Sequence, residues 1–299
     1  DVMARAAKEV NDAKSKASAP SLLLSLDSKS RAAGAKLFGQ CWLPKGAPRA
    51  IILLAHGYAE HLGRYEHVAK TFTDAGLAVY ALDHWGHGRS DGARGFVPHF
   101  SVFLDGMAAL LDMVQQRHPK TPRILLGHSM GGLIAAHHLL HHQSAYCAAI
   151  LSGPAVQPGT PPSAATQIIG RLLSAIAPHM GLITLEAEAV SRDPQVVADY
   201  IADPLVYHGK MSARLASEML RSMMEIQEKA AAIHCPLLVV HGSLDRLAAA
   251  SGGAALVQAV SSRDKEFREL NGLYHEVFNE PEREEVLAGV LSWINARIS

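Results

Sequence analysis

Short apolar runs recur along the chain at 22–27, 36–43, 50–56, 77–83, 122–127, 147–152, 236–241 and 265–270. Between many of them lie stretches whose apolar positions have helical spacing, at 64–75, 99–118, 131–143, 250–261 and 281–297. Strands alternating with helices predict a mostly parallel central sheet covered on both faces. Ile51-Ile52-Leu53-Leu54 and Leu237-Leu238-Val239-Val240 show no in/out alternation, as expected of central strands buried on both sides. The first two runs precede any crossover helix and fit an antiparallel hairpin at the sheet edge.

One interval breaks the rhythm. Between Gly153 and Pro236 lie 82 residues without a clear strand. They open on Pro154, Pro158, Pro161 and Pro162 and continue into amphipathic stretches such as 168–176. The organisation expected is therefore an N-terminal tail at 1–20, a core made of 21–153 and 236–299, and a cap or lid at 154–235. The plainer alternative for the insertion is an extra helical layer with no gating role.

Composition narrows the class. With 299 residues, 48% of them hydrophobic, the chain can bury a large core without a metal or disulfide staple. Lys+Arg 28 balances Asp+Glu 28, so no global field draws the chain to nucleic acid. Cys41, Cys147 and Cys235 form no CxxC pair, which argues against a zinc knuckle or a disulfide framework and for a reducing compartment. No run approaches the roughly 18 apolar residues of a membrane span. The chain begins at Asp1 rather than Met, which leaves a removed targeting segment open. Residues 1–20 read as a loose helix or frayed tail.

The chemistry concentrates in Gly127-His128-Ser129-Met130-Gly131, a G-x-S-x-G placed after an apolar strand and before a helix. In that setting a sharp turn exposes the serine hydroxyl, and glycines leave room where a Cβ would collide. Ser129 is the candidate nucleophile, and the Met130 N–H at the helix start is a candidate oxyanion donor. A serine hydroxyl needs a base, and the base needs an orienter. The chain order serine, acid, histidine places Asp245 after the strand at 237–241 and His275 after the last strand. Glu276 is a rival acid, but beside the histidine it points elsewhere in most loops. The loop after the third strand, His56-Gly57-Tyr58, offers the Tyr58 N–H as the second oxyanion donor.

These segments resemble the monoacylglycerol lipase and lysophospholipase family of α/β-hydrolases. The matching motifs are 56–65, 82–92, 127–132, 241–246, 274–276 and 279–282, in order over roughly 30–297. The resemblance implies an α/β-hydrolase fold with a helical cap inserted between late core strands. It implies a serine esterase, cytoplasmic or membrane-associated, that cleaves single-chain acyl esters without a cofactor. The expected reaction is monoacylglycerol to fatty acid and glycerol. The alternatives are a lysophospholipase, a carboxylesterase or thioesterase for short acyl groups, an acyltransferase, and, outside enzymes, a hydrolase-fold binding protein. Carried over by motif, Glu60, Arg64, His128 and Tyr200 would hold the glycerol end. Leu247-Ala248-Ala249-Ala250 and the proline-rich start of the cap depart from better-known members.

The partner expected is a small lipid ester, with no nucleic acid. The cap's apolar helices are a candidate for peripheral membrane contact, and the sequence leaves the oligomeric state open. Seventeen histidines invite a metal, and His137, His138, His141 and His142 have i, i+4 spacing on a helix. No acidic partner or H-E-x-x-H accompanies them, so a solvated helix face is the expectation and no metal site is assigned. His84 and His87 read as structural turn residues.

Overall fold

The computed structural model describes residues 20–298. The tail expected at 1–20 lies outside them except for Pro20, whose carbonyl accepts the Cys41 N–H.

Eight strands form the main sheet: β1 (Ser21–Ser25), β2 (Lys36–Trp42), β3 (Ala50–Ala55), β4 (Leu77–Leu82), β5 (Arg123–His128), β6 (Ala148–Ser152), β9 (Leu237–Gly242) and β10 (Lys265–Leu270). Their spatial order is β1-β2-β4-β3-β5-β6-β9-β10. The first two form the antiparallel edge hairpin that the chain order implied, and from β4 to β10 every pairing is parallel. Every residue of β3, β4, β6 and β9 is buried, which explains why those runs carry no polar alternation. Strand β10 reads Lys265-Glu266-Phe267-Arg268-Glu269-Leu270. Its charges mark an outer strand and discourage pairing with another chain.

Helices α1 (Glu66–Asp74), α2 (Ser101–Arg117), α3 (Met130–His142), α7 (Ala250–Ala259) and α8 (Arg283–Asn295) cover the sheet. Two apolar clusters result, one on each face of it. One holds Phe103, Met107, Leu133 and Val239. The other holds Phe72, Leu126, Val290 and Trp293.

Strands β6 and β9 are neighbours in the sheet, paired through Ala149–Leu237 to Ser152–Val240. The segment expected as the cap leaves and re-enters between these two strands. It contains α4 (Ala164–Ile176), α5 (Pro194–Ala202) and α6 (Ala213–Lys229). Side-chain caps start all three: Ser163 accepts from the Thr166 N–H, Asp193 from Gln195 and Ser212 from Leu215. The interval is not free of strands, however. A small antiparallel pair, β7 (Gly181–Ile183) with β8 (Met211–Ser212), lies inside it. Strands of three and two residues are too short to leave a period in the sequence.

A second expectation fails in α3. Met130 through Leu139 are all buried, His137 and His138 included, so the histidine-bearing side is no solvated face. The helix is sandwiched between the sheet and α6. The Nε2 of His137 lies 2.8 Å from the Ser222 carbonyl of α6, and the Nε2 of His138 lies 2.9 Å from the Tyr146 hydroxyl. Of the four histidines, only His141 is exposed and His142 half-buried. His84 and His87 are buried against His56 in the turn after β4.

Candidate active site

Ser129 sits between the end of β5 and the start of α3. Its backbone has φ 53° and ψ −119°, a region that L-residues seldom enter. Sterics impose the turn. A Cβ on Gly127 would lie 2.3 Å from the Gly131 carbonyl, and one on Gly131 would lie 2.1 Å from the Ala55 carbonyl of β3. Only glycine at both positions lets the helix start press this closely on the sheet. The Ser129 N–H donates to the Ser152 carbonyl, and its own carbonyl accepts from Gly132, Leu133 and Ala155. The hydroxyl is thereby presented at the carboxyl ends of the strands, where open α/β sheets bind ligands.

Asp245 and His275 come to the same edge from the loops after β9 and β10. The His275 Nε2 lies 2.8 Å from the Ser129 Oγ, and its Nδ1 lies 2.7 Å from the Asp245 Oδ2. The Asp245 Oδ1 accepts the N–H groups of Leu247 and Ala248 at 2.8 and 3.0 Å. Those bonds aim Oδ2 at the imidazole. Burial would raise the Asp245 carboxyl. The His275 charge, the ring N–H donors of His241 and His275, and the backbone donor of Ala248 outweigh it and hold the group below the usual carboxylate range. Burial would likewise lower His275. The Asp245 carboxylate and its hydrogen bond, helped by Glu276 and Glu60, instead raise it.

The loop after β3 passes against the serine. A Cβ on Gly57 would lie 3.2 Å from the Ser129 Cβ. Among the described residues, the backbone N–H groups of Tyr58 and Met130 have no acceptor. One of these donors follows Ser129 directly and the other follows Gly57, whose loop touches the serine. Ala59, with φ 67°, is the other non-glycine residue at positive φ among the described residues. The strained backbone positions thus fall in the two loops that bear these donors.

Of the four residues assigned to a head group, Glu60 and His128 both border Gly57, where a Cβ would lie 3.0 Å from the Glu60 Oε1 and 3.3 Å from the His128 Cδ2. Glu60, Arg64 and Tyr200 gather together. The Glu60 Oε1 accepts the Gly57 N–H at 2.7 Å and the Tyr65 hydroxyl at 2.6 Å, and its Oε2 accepts Arg64 at 2.6 Å. Arg64 also grips both oxygens of Glu276, at 2.6 and 2.7 Å, and lies over the Tyr200 ring. Glu60 is thus engaged through both oxygens, and it braces the loop that carries the Tyr58 N–H. Burial would raise the Glu276 carboxyl, but Arg64 dominates and takes it down to about 2. His128 has its Nδ1 on the Ser152 carbonyl at 3.0 Å and its ring 4.8 Å from that of His275. Burial, with His275 nearby, lowers it to about 4, so it is neutral at pH 7. Among the described residues, the His128 Nε2 and the Tyr200 hydroxyl keep no partner.

Sequence reasoning left His241 without a role. Its Nε2 lies 3.0 Å from the Asp245 Oδ2 and 3.1 Å from the Ala248 carbonyl, while its buried Nδ1 has no partner. Two acceptors at Nε2 and none needed at Nδ1 identify the Nε2–H tautomer. A second imidazole thus donates to the acid that orients the first. The signal was a histidine closing a strand four residues before Asp245.

The sequence family described as serine aminopeptidase, S33, matches residues 46–282. A monoacylglycerol lipase of Mycolicibacterium smegmatis is 46% identical over 261 residues, 87% of this chain and 93% of that protein. Human monoglyceride lipase is 32% identical over 268 residues, 88% of each. The chain belongs to the monoacylglycerol lipase family of α/β-hydrolases. It shares the family's chemistry and is a serine ester hydrolase. The crystal structure of a monoacylglycerol lipase from Paleococcus ferrophilus, 28% identical, superposes with a TM-score of 0.79. That match covers 87% of this chain and 99% of that one.

Proposed function

We propose that the protein hydrolyses monoacylglycerol to fatty acid and glycerol, with Ser129, His275 and Asp245 as the catalytic triad. The observation that carries the reading is the unbroken relay from the Ser129 Oγ through His275 to Asp245, at 2.8 and 2.7 Å. The similarity to lipases of monoacylglycerols supplies the substrate class.

The Ser129 Oγ attacks the ester carbonyl as its proton passes to the His275 Nε2. Negative charge develops on the carbonyl oxygen, facing the Tyr58 and Met130 N–H groups. Each such donor is worth on the order of 10²–10³ in turnover. The C–O bond to glycerol then breaks, and His275 returns its proton to the departing oxygen. Water, deprotonated by His275, attacks the acyl carbonyl; the C–Oγ bond then breaks, His275 returns that proton to the Ser129 Oγ, and the fatty acid leaves. Asp245 holds the His275 Nδ1–H and stabilises the imidazolium that forms twice per cycle. Tyr200 and the His128 Nε2 are the free polar groups for a glycerol hydroxyl, and Glu60 and Arg64 form the braced frame behind them.

The cap meets the lipid source. Ile168, Ile169, Leu172 and Ile176 on α4 are each more than half exposed, and Met180, Leu182 and Ile183, soon after it in the chain, are exposed as well. Exposed apolar residues at helical spacing suit a lipid surface. Among the described residues, no helix is long and apolar enough to cross a membrane. Contact at the interface is therefore the mode these residues fit.

The test is release of fatty acid from long-chain monoacylglycerols, lysophosphatidylcholine and p-nitrophenyl esters, with Ser129→Ala alongside. Preference for monoacylglycerol, lost by a factor on the order of 10³ or more in the variant, is expected. Turnover retained by Ser129→Ala overturns the mechanism. Fast p-nitrophenyl acetate cleavage with no monoacylglycerol activity overturns the substrate alone.

A further inference from the structure

Five residues after His275 in this chain, a second carboxylate is fully buried and unrelated to the proton relay. Glu280 has no exposure, and its side chain collects four donors, one from its own loop and three from a distant piece of chain. Its Oε1 accepts the Ser191 hydroxyl and the Arg192 N–H, both at 2.6 Å. Its Oε2 accepts the Arg192 Nε at 2.6 Å and the Tyr274 N–H at 2.9 Å. Tyr274 immediately precedes His275. Ser191 and Arg192 lie 88 or more residues earlier, between β7 and α5 in the inserted segment.

Other bonds run in parallel. The Glu276 N–H donates to the Val190 carbonyl at 2.8 Å. Arg192 also pairs with Glu282, and Asp193 with Arg283. A strap at 190–193 is therefore laid along the loop 274–283 on both sides of the histidine. The strap continues into α5, which Asp193 caps and which carries Tyr200. Just beyond α5, the Asp203 Oδ2 lies 2.7 Å from the His61 Nε2 of the loop after β3.

We propose that Glu280 is a positioning residue that couples the inserted segment to His275, so that the seating of the strap sets the reach of the imidazole toward Ser129. This rests on the reading of His275 as the base. The physical reason is stiffness. The His275 loop carries no regular structure of its own between β10 and α8, so its backbone is fixed by what it is bonded to. A buried carboxylate with four donors is a rigid joint, because losing any donor leaves a buried polar group unsatisfied. Misplacement of a reacting group by about 1 Å costs on the order of 10²-fold in rate. Substrate lying against Tyr200 would press on the same joint through α5.

Glu280→Gln keeps the shape but turns an N–H₂ toward two of the four donors. Ser191→Ala removes one donor and leaves the carboxylate. Live sites are counted with a fluorophosphonate probe, and a soluble p-nitrophenyl ester reports turnover per live site. For Glu280→Gln, kcat per site is expected to fall on the order of ten-fold or more, with KM within about two-fold. Ser191→Ala is expected to lose about three-fold.

The pH profile separates positioning from simple support. The charged or titratable groups that face His275 are Asp245, Glu276, Glu60 and His128. A histidine drawn back from Asp245 loses the interaction that keeps its proton. The acid limb of kcat/KM is therefore expected to move to lower pH in both variants. A lowered melting temperature with wild-type kcat per site and an unmoved acid limb overturns the proposal. If Glu280→Gln does not fold, Ser191→Ala decides by the same two readouts. His275→Ala, measured in parallel, separates the layers. Full turnover in that variant overturns the assignment of the base, whereas its inactivity beside a wild-type Glu280→Gln overturns only the coupling.

Discussion

Asp245 illustrates how much one side chain does here. Both of its oxygens are used twice, Oδ1 by two backbone N–H groups and Oδ2 by two imidazoles. Asp245→Asn replaces an acceptor with a donor and removes the charge that keeps the His275 proton. Turnover is expected to drop by on the order of 10³–10⁴. The sign of the accompanying pH change follows from the cause. His275 is raised above its ordinary value by that carboxylate, so the acid limb is expected to shift to lower pH in the variant. A pH–rate profile of kcat/KM checks both. His241 permits a milder test. His241→Leu keeps the volume but deletes the donor to Asp245, with an expected loss of roughly ten-fold. His241→Gln, which can still donate, is expected to retain most activity. Equal kinetics for the two would remove His241 from the orienting set.

Among the elements, α4 is the one whose chemistry does not match its place. Of its residues only Ser174 is buried, although Ile and Leu dominate its sequence. Leu172→Glu with Ile169→Glu is expected to abolish sedimentation with phosphatidylcholine vesicles while leaving cleavage of a soluble ester within about two-fold. Unchanged sedimentation would refute the lipid-facing role. This helix also marks where sequence reasoning succeeds and stops. The apolar spacing at 168–176 was legible, as were β3 and β9 from unbroken aliphatic runs and the serine turn from its glycines. The pairing of β7 with β8 was not, because Gly181–Ile183 is short and exposed. The burial of His137 was hidden too, since it depends on α6 crossing 85 residues later in the chain. Glu280 was quoted within a motif, yet its four donors come from Tyr274 and from a strap that only the fold brings near. Local periodicity reports an element and its apolar face; what the other face meets is non-local information.

At the scale of the whole molecule, neutral histidines accumulate in the interior. Burial, aided by neighbouring rings, lowers His84 and His138 to about 3 and His87 and His128 to about 4, with His56 and His137 also depressed. Each has its folded value below the unfolded 6.5. The unfolded chain therefore takes up protons first as pH falls, and stability declines from 6.5 down to about 4. Each such site contributes about 1.4 kcal/mol per pH unit. Below about 4.5 the lowered Glu276 adds to the loss. Chemical denaturation between pH 8 and pH 4 is expected to show a steep fall beginning near 6.5, and a flat profile to pH 5 would contradict it. The pairing of β6 with β9 carries a different implication, for how such a chain diversifies. The long excursion between them begins and ends at strands about 5 Å apart, held by Ser152 opposite Val240. Insertions, deletions or wholesale replacement between those two anchor points leave the sheet register untouched. The scaffold and the inserted segment can thus drift at different evolutionary rates, with Glu280 as a stitch that both must keep.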